Sequence, residues 1–410
     1  MIDQLFSDPV SLQRLHLGPL GPHIDAFARH LSERGYARRT TVKKIRVVSS
    51  FSRWLQRRDR AAEEVDERVV SAYLRHRRHN GLSLDGVPPT LQDLLTHLRT
   101  AGIIPCVQRE LGPLHAMEEC YARYLSEERG LAKPTLDAYL RIVRLFLSKR
   151  FGTKPIALDE LTPRDSARFI LRRTSRISPR RAQLVTTGLR SFFRFLYEHG
   201  TISMDLAPSV PSVANWRLAD LPKFLEPEQV ERLLEACNRA TPVGRRDYAV
   251  LLLLARLGLR AGEVVHMQLD DLDWENGELT VRGKSVRQDR LPIPREVGAA
   301  LAAYLCSGRP RCSSRRVFLR LRAPQEGFIG SAAICNIVRR ALGRAGLHPE
   351  RKGSHLLRHS LAVTMLRGGA SLAEIGEILR HELQSTTEIY TKVDMAALGA
   401  LALPWHGGEQ

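Results

Sequence analysis

Residues 353–369 read GSHLLRHSLAVTMLRGG and residues 374–393 read EIGEILRHELQSTTEIYTKV. In the first stretch His355 and Arg358 stand three apart, which puts both on one face near the start of a helix expected over Leu356–Leu366. In the second, His381 is followed nine residues later by Tyr390. Ser371-Leu-Ala-Glu374 and Ser385-Thr-Thr-Glu388 each set a serine three residues before a glutamate, the pattern of a capping box at a helix start. Cationic, imidazole and phenol groups are therefore gathered on and between short helices.

Upstream, ARLGLRAGEV (255–264) ends an apolar helix, expected over Tyr248–Leu257, in Gly258, with Arg260 close behind. The segment TVRGKSVRQDRLPIP (280–294) reads as two short strands, Glu278–Arg282 and Gln288–Ile293, around Gly283-Lys284-Ser285. At that turn Lys284 is a long cation able to swing into a cleft. Helices are expected from Pro227, over Arg295–Leu305 and over Ser331–Ala345. Pro208, Pro211 and Pro222 mark 207–222 as a linker, because proline removes a backbone donor and disfavours helix at the residue before it.

The chain before the linker reads as helical and repeats itself. Leu17-Gly18-Pro19, FARHLSE (27–33), Gly35 and Thr40 are matched by Leu111-Gly112-Pro113, YARYLSE (121–127), Gly130 and Thr135, at an offset of 94 to 95 residues. Apolar residues three and four apart follow each threonine, which describes a duplicated helical module. Within the second copy, residues 164–194 carry nine arginines against one acid, Asp165. Leu189, Phe192, Phe193 and Leu196 form an apolar stripe there, leaving the arginines on the other faces. So one-signed an excess points to phosphate contacts by Arg164, Arg168, Arg172, Arg173, Arg176, Arg180 and Arg181.

At 410 residues the chain exceeds one ordinary core and suits two or three domains. Its 63 Lys and Arg against 44 Asp and Glu leave +19, which favours a polyanionic partner, while 43% hydrophobic residues exclude wholesale disorder. Tyr248–Leu254, the most apolar stretch, is far short of the ~20 residues that span a bilayer, so no membrane association is expected. The start, MIDQLFSDPV, lacks a basic region before an apolar run, so secretion is not expected either. Six cysteines at irregular spacing form no zinc-ligand pattern, and no structural metal is expected.

From Leu111 onward these stretches resemble the tyrosine recombinase, or phage integrase, family. The resemblance implies a mainly α fold: N-terminal helical DNA-binding modules, then a mostly helical catalytic domain with a small antiparallel β-hairpin. The expected division is an extra helical module at 1–105, a core-binding domain at 111–206, the linker at 207–222 and the catalytic domain at 223–410. By the match, Arg260 and Arg358 correspond to the family's two arginines, Lys284 to its hairpin lysine, His355 and His381 to its two histidine positions and Tyr390 to its nucleophile. Arg380 departs from the glycine that many members carry before the second histidine.

The chemistry is coherent with these assignments. Two guanidinium groups can fork onto the non-bridging oxygens of a phosphodiester and stabilise the charge of the pentavalent transition state. Tyr390 would attack phosphorus, His355 would assist proton transfer at its hydroxyl, and Lys284 would protonate the departing 5′ oxygen. His381 would bond the phosphate or position Tyr390. The 3′-phosphotyrosine retains the bond energy, so no ATP, divalent metal or other cofactor is expected. The implied partner is double-stranded DNA at specific recombination sites, bound by a homo-tetramer or an assembly with related recombinases in the cytoplasm, at the nucleoid. A short apolar helix after Asp394 would dock on a neighbouring protomer or on its own domain. The extra N-terminal module would be a further DNA-binding or protomer-contacting helical domain, and an extension of this kind fits a recombinase of an integrative or transposable element. Alternatives are a non-catalytic DNA-binding accessory protein on the same scaffold and a type IB topoisomerase-like enzyme.

Overall fold

The computed structural model describes residues 2–6, 8–105, 113–152, 155–174, 177–213, 222–283, 288–381 and 386–393. Contacts divide the chain into two units: residues 1–106 together with 220–410, and residues 107–219.

In the first unit, α1 (Ile2–Leu5) and α2 (Pro9–Leu15) precede α3 (Ile24–Glu33), α4 (Arg38–Gln56), α5 (Glu67–His79) and α6 (Val87–Thr100). Phe27, Leu31, Ile45, Phe51, Leu55, Leu91 and Leu98 are wholly buried between them. The helices end where the sequence changes period: α3 stops before Gly35, whose φ of +76° is a left-handed conformation. Asp66 caps α5 by accepting from the Val69 N–H at 2.7 Å.

The second unit is α7 (Pro113–Arg123), running on as a π-helical turn over Tyr124–Glu128, then α8 (Lys133–Phe151), α9 (Pro163–Thr174) and α10 (Pro179–Glu198). The stripe expected on α10 is the core: Leu189, Phe192, Phe193 and Leu196 are fully buried. The proline-rich stretch is not bare linker throughout. Ala207–Ser209 is a 3-10 turn, Leu206, Ala207 and Val210 are buried in this unit's core, and Arg190 Nη2 donates to the Val210 carbonyl at 2.8 Å. Apolar residues between the prolines, invisible to a proline count, explain the difference.

The remainder of the first unit holds α11 (Pro227–Glu235), α12 (Pro242–Arg256), α13 (Ala261–His266), strands β1 (Leu272–Asp273), β2 (Glu278–Arg282) and β3 (Gln288–Pro292), and α14 (Arg295–Ser307), α15 (Ala332–Arg344), α16 (His355–Arg367) and α17 (Leu372–Ile378). The antiparallel sheet runs in the order β1-β2-β3, with Leu272 opposite Leu279 and Thr280 opposite Arg290. α12 is the central helix; Leu251–Leu254 are buried on every side, as an all-round apolar helix requires. It begins six residues before the expected start. Thr241 caps it by accepting from the Gly244 N–H at 3.0 Å, and Arg246 satisfies buried Asp247 through Nη2 at 2.7 Å, so the charge that marks a boundary in the sequence lies inside the helix.

Ser371 and Glu374 form both bonds of the expected capping box. Ser385 of the second box lies outside the described residues, and Glu388–Val393 is a 3-10 helix rather than an α-helix. The proposed helix after Asp394 also lies outside them.

Candidate active site

Among the described residues Arg358 is the most deeply buried cation. It sits on the first turn of α16 with 4% of its surface exposed, donating from Nη1 to the Gly258 carbonyl and from Nη2 to the Leu379 carbonyl. Among the described residues no carboxylate pairs with it. Burial, and then the positive charges of Arg260 and Arg380, pull it down to about 10. A buried guanidinium bonded to carbonyls is compensated only in part, the charge of Glu263 acting against burial and those of Arg260 and Arg380, which is the state wanted of an anion receptor. Gly258 makes this possible: its φ is +57°, and a Cβ there would lie 2.6 Å from Leu379.

Arg260 is the residue before α13 and remains partly exposed. Glu263 grips it twice, accepting from the backbone N–H at 2.7 Å and from Nη1 at 2.9 Å, while Arg260 Nη2 donates to the Arg380 carbonyl at 2.9 Å. Glu263 also accepts from Arg380 Nη2 at 3.0 Å, an ion pair in which both side chains are nearly buried. Arg380 therefore has a task of its own. Its φ of +53° lies in the left-handed region, which accounts for the fit of glycine at this place and for the cost of arginine, a cost offset by the ion pair.

Tyr390 is 1% exposed, packed with Ala362, Val363, Ile375 and Leu379. Burial pushes its hydroxyl up to about 12, with the charge of Arg358 acting the other way. Its oxygen lies 2.9 Å from Nδ1 of His359, the residue after Arg358. Burial, then His355 and Arg358, hold His359 at about 4, so it is neutral near pH 7 and able to accept a hydrogen bond from the phenol. His381, likewise held at about 4 by burial and then by Arg358, has Nδ1 at 2.8 Å from Thr387 Oγ1. Thr387 in turn accepts the Tyr390 N–H at 3.0 Å through its carbonyl. The turn that carries the tyrosine is thus fastened to the site at both His359 and His381.

The structure brings together Arg260, Arg358, His381 and Tyr390 of the expected set, with His355 one helical turn before His359, ring centroids 6.4 Å apart. Lys284 lies outside the described residues. His359, Glu263 and Arg380 join the site without belonging to the set expected from the sequence. The His355/His359 spacing of four is the signal that could have found the first, whereas the contacts of Glu263 and Arg380 join segments 117 residues apart. Of the expected DNA-contact arginines, Arg168, Arg172 and Arg173 line one groove of the second unit with Lys149 and Arg150. Arg164, Arg180 and Arg181 are exposed at the starts of α9 and α10, and Arg176 lies outside the described residues.

Known proteins give the same picture. Residues 223–397 match the phage integrase family, and residues 119–200 match the N-terminal SAM-like domain of phage integrases. An integrase/recombinase relative from Sinorhizobium fredii, y4rA, is 43% identical across 98% of both chains, and tyrosine recombinase XerD of Listeria monocytogenes is 31% identical over 70% of this chain and 97% of its own. The chain belongs to the phage integrase family. It is a tyrosine-type site-specific recombinase. The mostly helical fold with its small sheet is likewise shared with XerH site-specific recombinase in a post-cleavage complex, at TM-score 0.54 and 18% identity over 73% of this chain and 98% of that one. A lambda integrase dimer bound to a core site gives TM-score 0.51 at 17% identity over 67% and 94%. Residues 1–105 of this recombinase lie outside both family matches, yet y4rA and a second Sinorhizobium fredii relative, y4rF, align across 98% and 100% of the chain.

Proposed function

We propose that this recombinase cuts and rejoins DNA for a mobile genetic element through a 3′-phosphotyrosine formed at Tyr390. The scissile phosphate would be gripped by Arg260 and Arg358, whose guanidinium groups fork onto its non-bridging oxygens and stabilise the charge that grows there. The Tyr390 oxygen forms a bond to phosphorus while the bond from phosphorus to the 5′ oxygen breaks. The phenol proton leaves toward the imidazoles of α16, His359 or His355, and the 5′ oxygen takes a proton from Lys284. A second strand's 5′-hydroxyl reverses the step, so atoms and charge balance without a further reactant. His381 holds the tyrosine's turn through Thr387. The observation that carries this reading is the buried, carbonyl-bound guanidinium of Arg358 one residue from the imidazole that bonds Tyr390.

Phosphate contacts by Arg164, Arg168, Arg172, Arg173, Arg176, Arg180 and Arg181 would hold the duplex against the core-binding domain. A lambda integrase tetramer bound to a Holliday junction has the same fold. Assembly of four protomers on DNA, of this chain alone or with related recombinases, belongs to the proposal, as does action in the cytoplasm on nucleoid DNA. Among the described residues no helix is long and apolar enough to cross a membrane.

The test is a nicked suicide duplex carrying the element's end, incubated with the protein and run on a denaturing gel. The wild-type chain is expected to give a covalent protein–DNA band, and Tyr390→Phe none, with DNA affinity within about twofold of wild type (~0.4 kcal/mol), because the buried phenol adds nothing to the surface that meets the duplex. An adduct from the variant would remove Tyr390 from its role.

A further inference from the structure

The two helical modules repeat the order of their elements. α4 and α8 are each 19 residues long and start 95 residues apart. A 3-10 turn follows each, at Ala62–Glu64 and Leu158–Glu160, and then α5 and α9. Between α8 and α9 lies the groove of about 570 Å³ lined by Lys149, Arg150, Arg168, Arg172 and Arg173. At the corresponding helix pair of the first module lies a groove of about 440 Å³ lined by Arg39, Lys43 and Arg46 from α4 and Arg77 from α5. Ser50 and Arg77 stand in the first groove where Leu145 and Arg172, 95 residues later, stand in the second. Of the cations lining the two grooves only Arg77 and Arg172 coincide at that offset, for Arg39, Lys43 and Arg46 fall on Pro134, Ala138 and Arg141; the charge on the α4 side of the first groove is its own and not a relic of the repeated core.

We propose that the α4–α5 face of residues 1–105 is a second contact with the phosphate backbone of duplex DNA, an inference that rests on the recombinase reading above. Residues 39, 43 and 46 are exposed at spacings of four and three, so they follow one side of α4 over about 10 Å. Duplex DNA carries one charge per ~1.7 Å of axis, enough to meet all three. Residues 1–105 hold 17 Lys and Arg against 11 Asp and Glu. Lys43 pairs with Asp85 at 2.7 Å, but both are exposed, and such a pair is weak enough for a phosphate to replace the carboxylate. Arg77 donates to the Ser83 carbonyl at 2.8 Å and to the Tyr73 hydroxyl at 3.1 Å, which fixes it at the groove wall.

The module is seated so that this contact would be coupled to the catalytic part. The Gln325 N–H donates to the Arg34 carbonyl at 2.9 Å, and Arg34 Nη2 pairs with Glu326 at 3.3 Å. Gly35 packs so tightly on Gln325 that a Cβ would overlap its side-chain amide. The seat uses the turn between α3 and α4 and leaves Arg39, Lys43 and Arg46 in solvent.

The experiment compares three full-length proteins on one duplex of mixed sequence: wild type, Arg39→Gln/Lys43→Gln/Arg46→Gln, and Arg168→Gln/Arg173→Gln. Affinity is followed by fluorescence anisotropy from about 50 to 200 mM salt. The triple variant is expected to lower the slope of log K against log salt by about 2 to 3, the double variant by about 2, and Arg39→Lys/Arg46→Lys to retain the wild-type slope. An unchanged slope in the triple variant alone overturns the second contact and leaves the recombinase reading standing. Unchanged slopes in both variants overturn the DNA-contact reading on which it rests. An unchanged slope accompanied by loss of the higher-order complex gives the face to a neighbouring protomer, and likewise overturns it.

Discussion

At Arg380 two demands meet in one residue. The backbone is left-handed, which costs a side chain ~1–2 kcal/mol that glycine would not incur. The side chain returns part of this through its buried pair with Glu263, the carboxylate that also orients Arg260. Arg380→Gly should therefore leave the melting temperature nearly unchanged, since relief of strain offsets the lost pair. Adduct formation on the suicide duplex should slow by roughly tenfold, equivalent to ~1.4 kcal/mol of transition-state stabilisation. Arg380→Ala keeps the strain and loses the pair, so it should slow the reaction similarly and also lower the melting temperature. A glycine variant as fast as wild type would show that Glu263 orients Arg260 unaided.

Helix starts carry a different tension. The positive end of a helix dipole disfavours cations, yet α10 opens with Arg180 and Arg181 and has no acid in its first turn. α9 has Asp165 beside Arg164, accepting from the Thr162 N–H at 3.0 Å. The cations on α10 work against the helix by ~0.3–1 kcal/mol each, which makes sense if a phosphate completes the site. Arg180→Gln/Arg181→Gln should raise the melting temperature by about 1–3 °C while weakening duplex binding. Loss of stability with unaltered binding would mean that the arginines serve the fold.

Much at this level could be read from the chain alone. β2 and the boundaries of α14–α16 emerge within two residues from period and caps. β1, two residues long, is too short to leave a period, and the 3-10 turn over Glu388–Val393 begins like an α-helix. The candidate site was legible where residues that the fold places near one another lie within one motif, as with His355 and Arg358. It was not legible where a side chain is recruited across space: Glu263 to Arg380, or His359 to Tyr390.

For the whole molecule, protons couple the site to stability. His359 and His381 are held at about 4 against 6.5 in a free chain. Between those values the unfolded state binds more protons, so stability is complete above about pH 6.5 and drains as the pH falls toward 4, by at most ~1.4 kcal/mol per unit for each histidine. The melting temperature should decline across that window, and His359→Gln should flatten the decline. A profile as steep in the variant as in the wild type would place the acid sensitivity elsewhere.

The enclosure of the Tyr390 phenol has a last consequence, for the genome that hosts this enzyme. On the proposed mechanism, a nucleophile shut inside its own protein cannot nick whatever duplex the basic surface happens to meet. Scanning and cutting become separate events. On that mechanism the chain would travel along a chromosome on nonspecific charge without leaving breaks behind, and a break would require that the docked target first draw the phenol into the open.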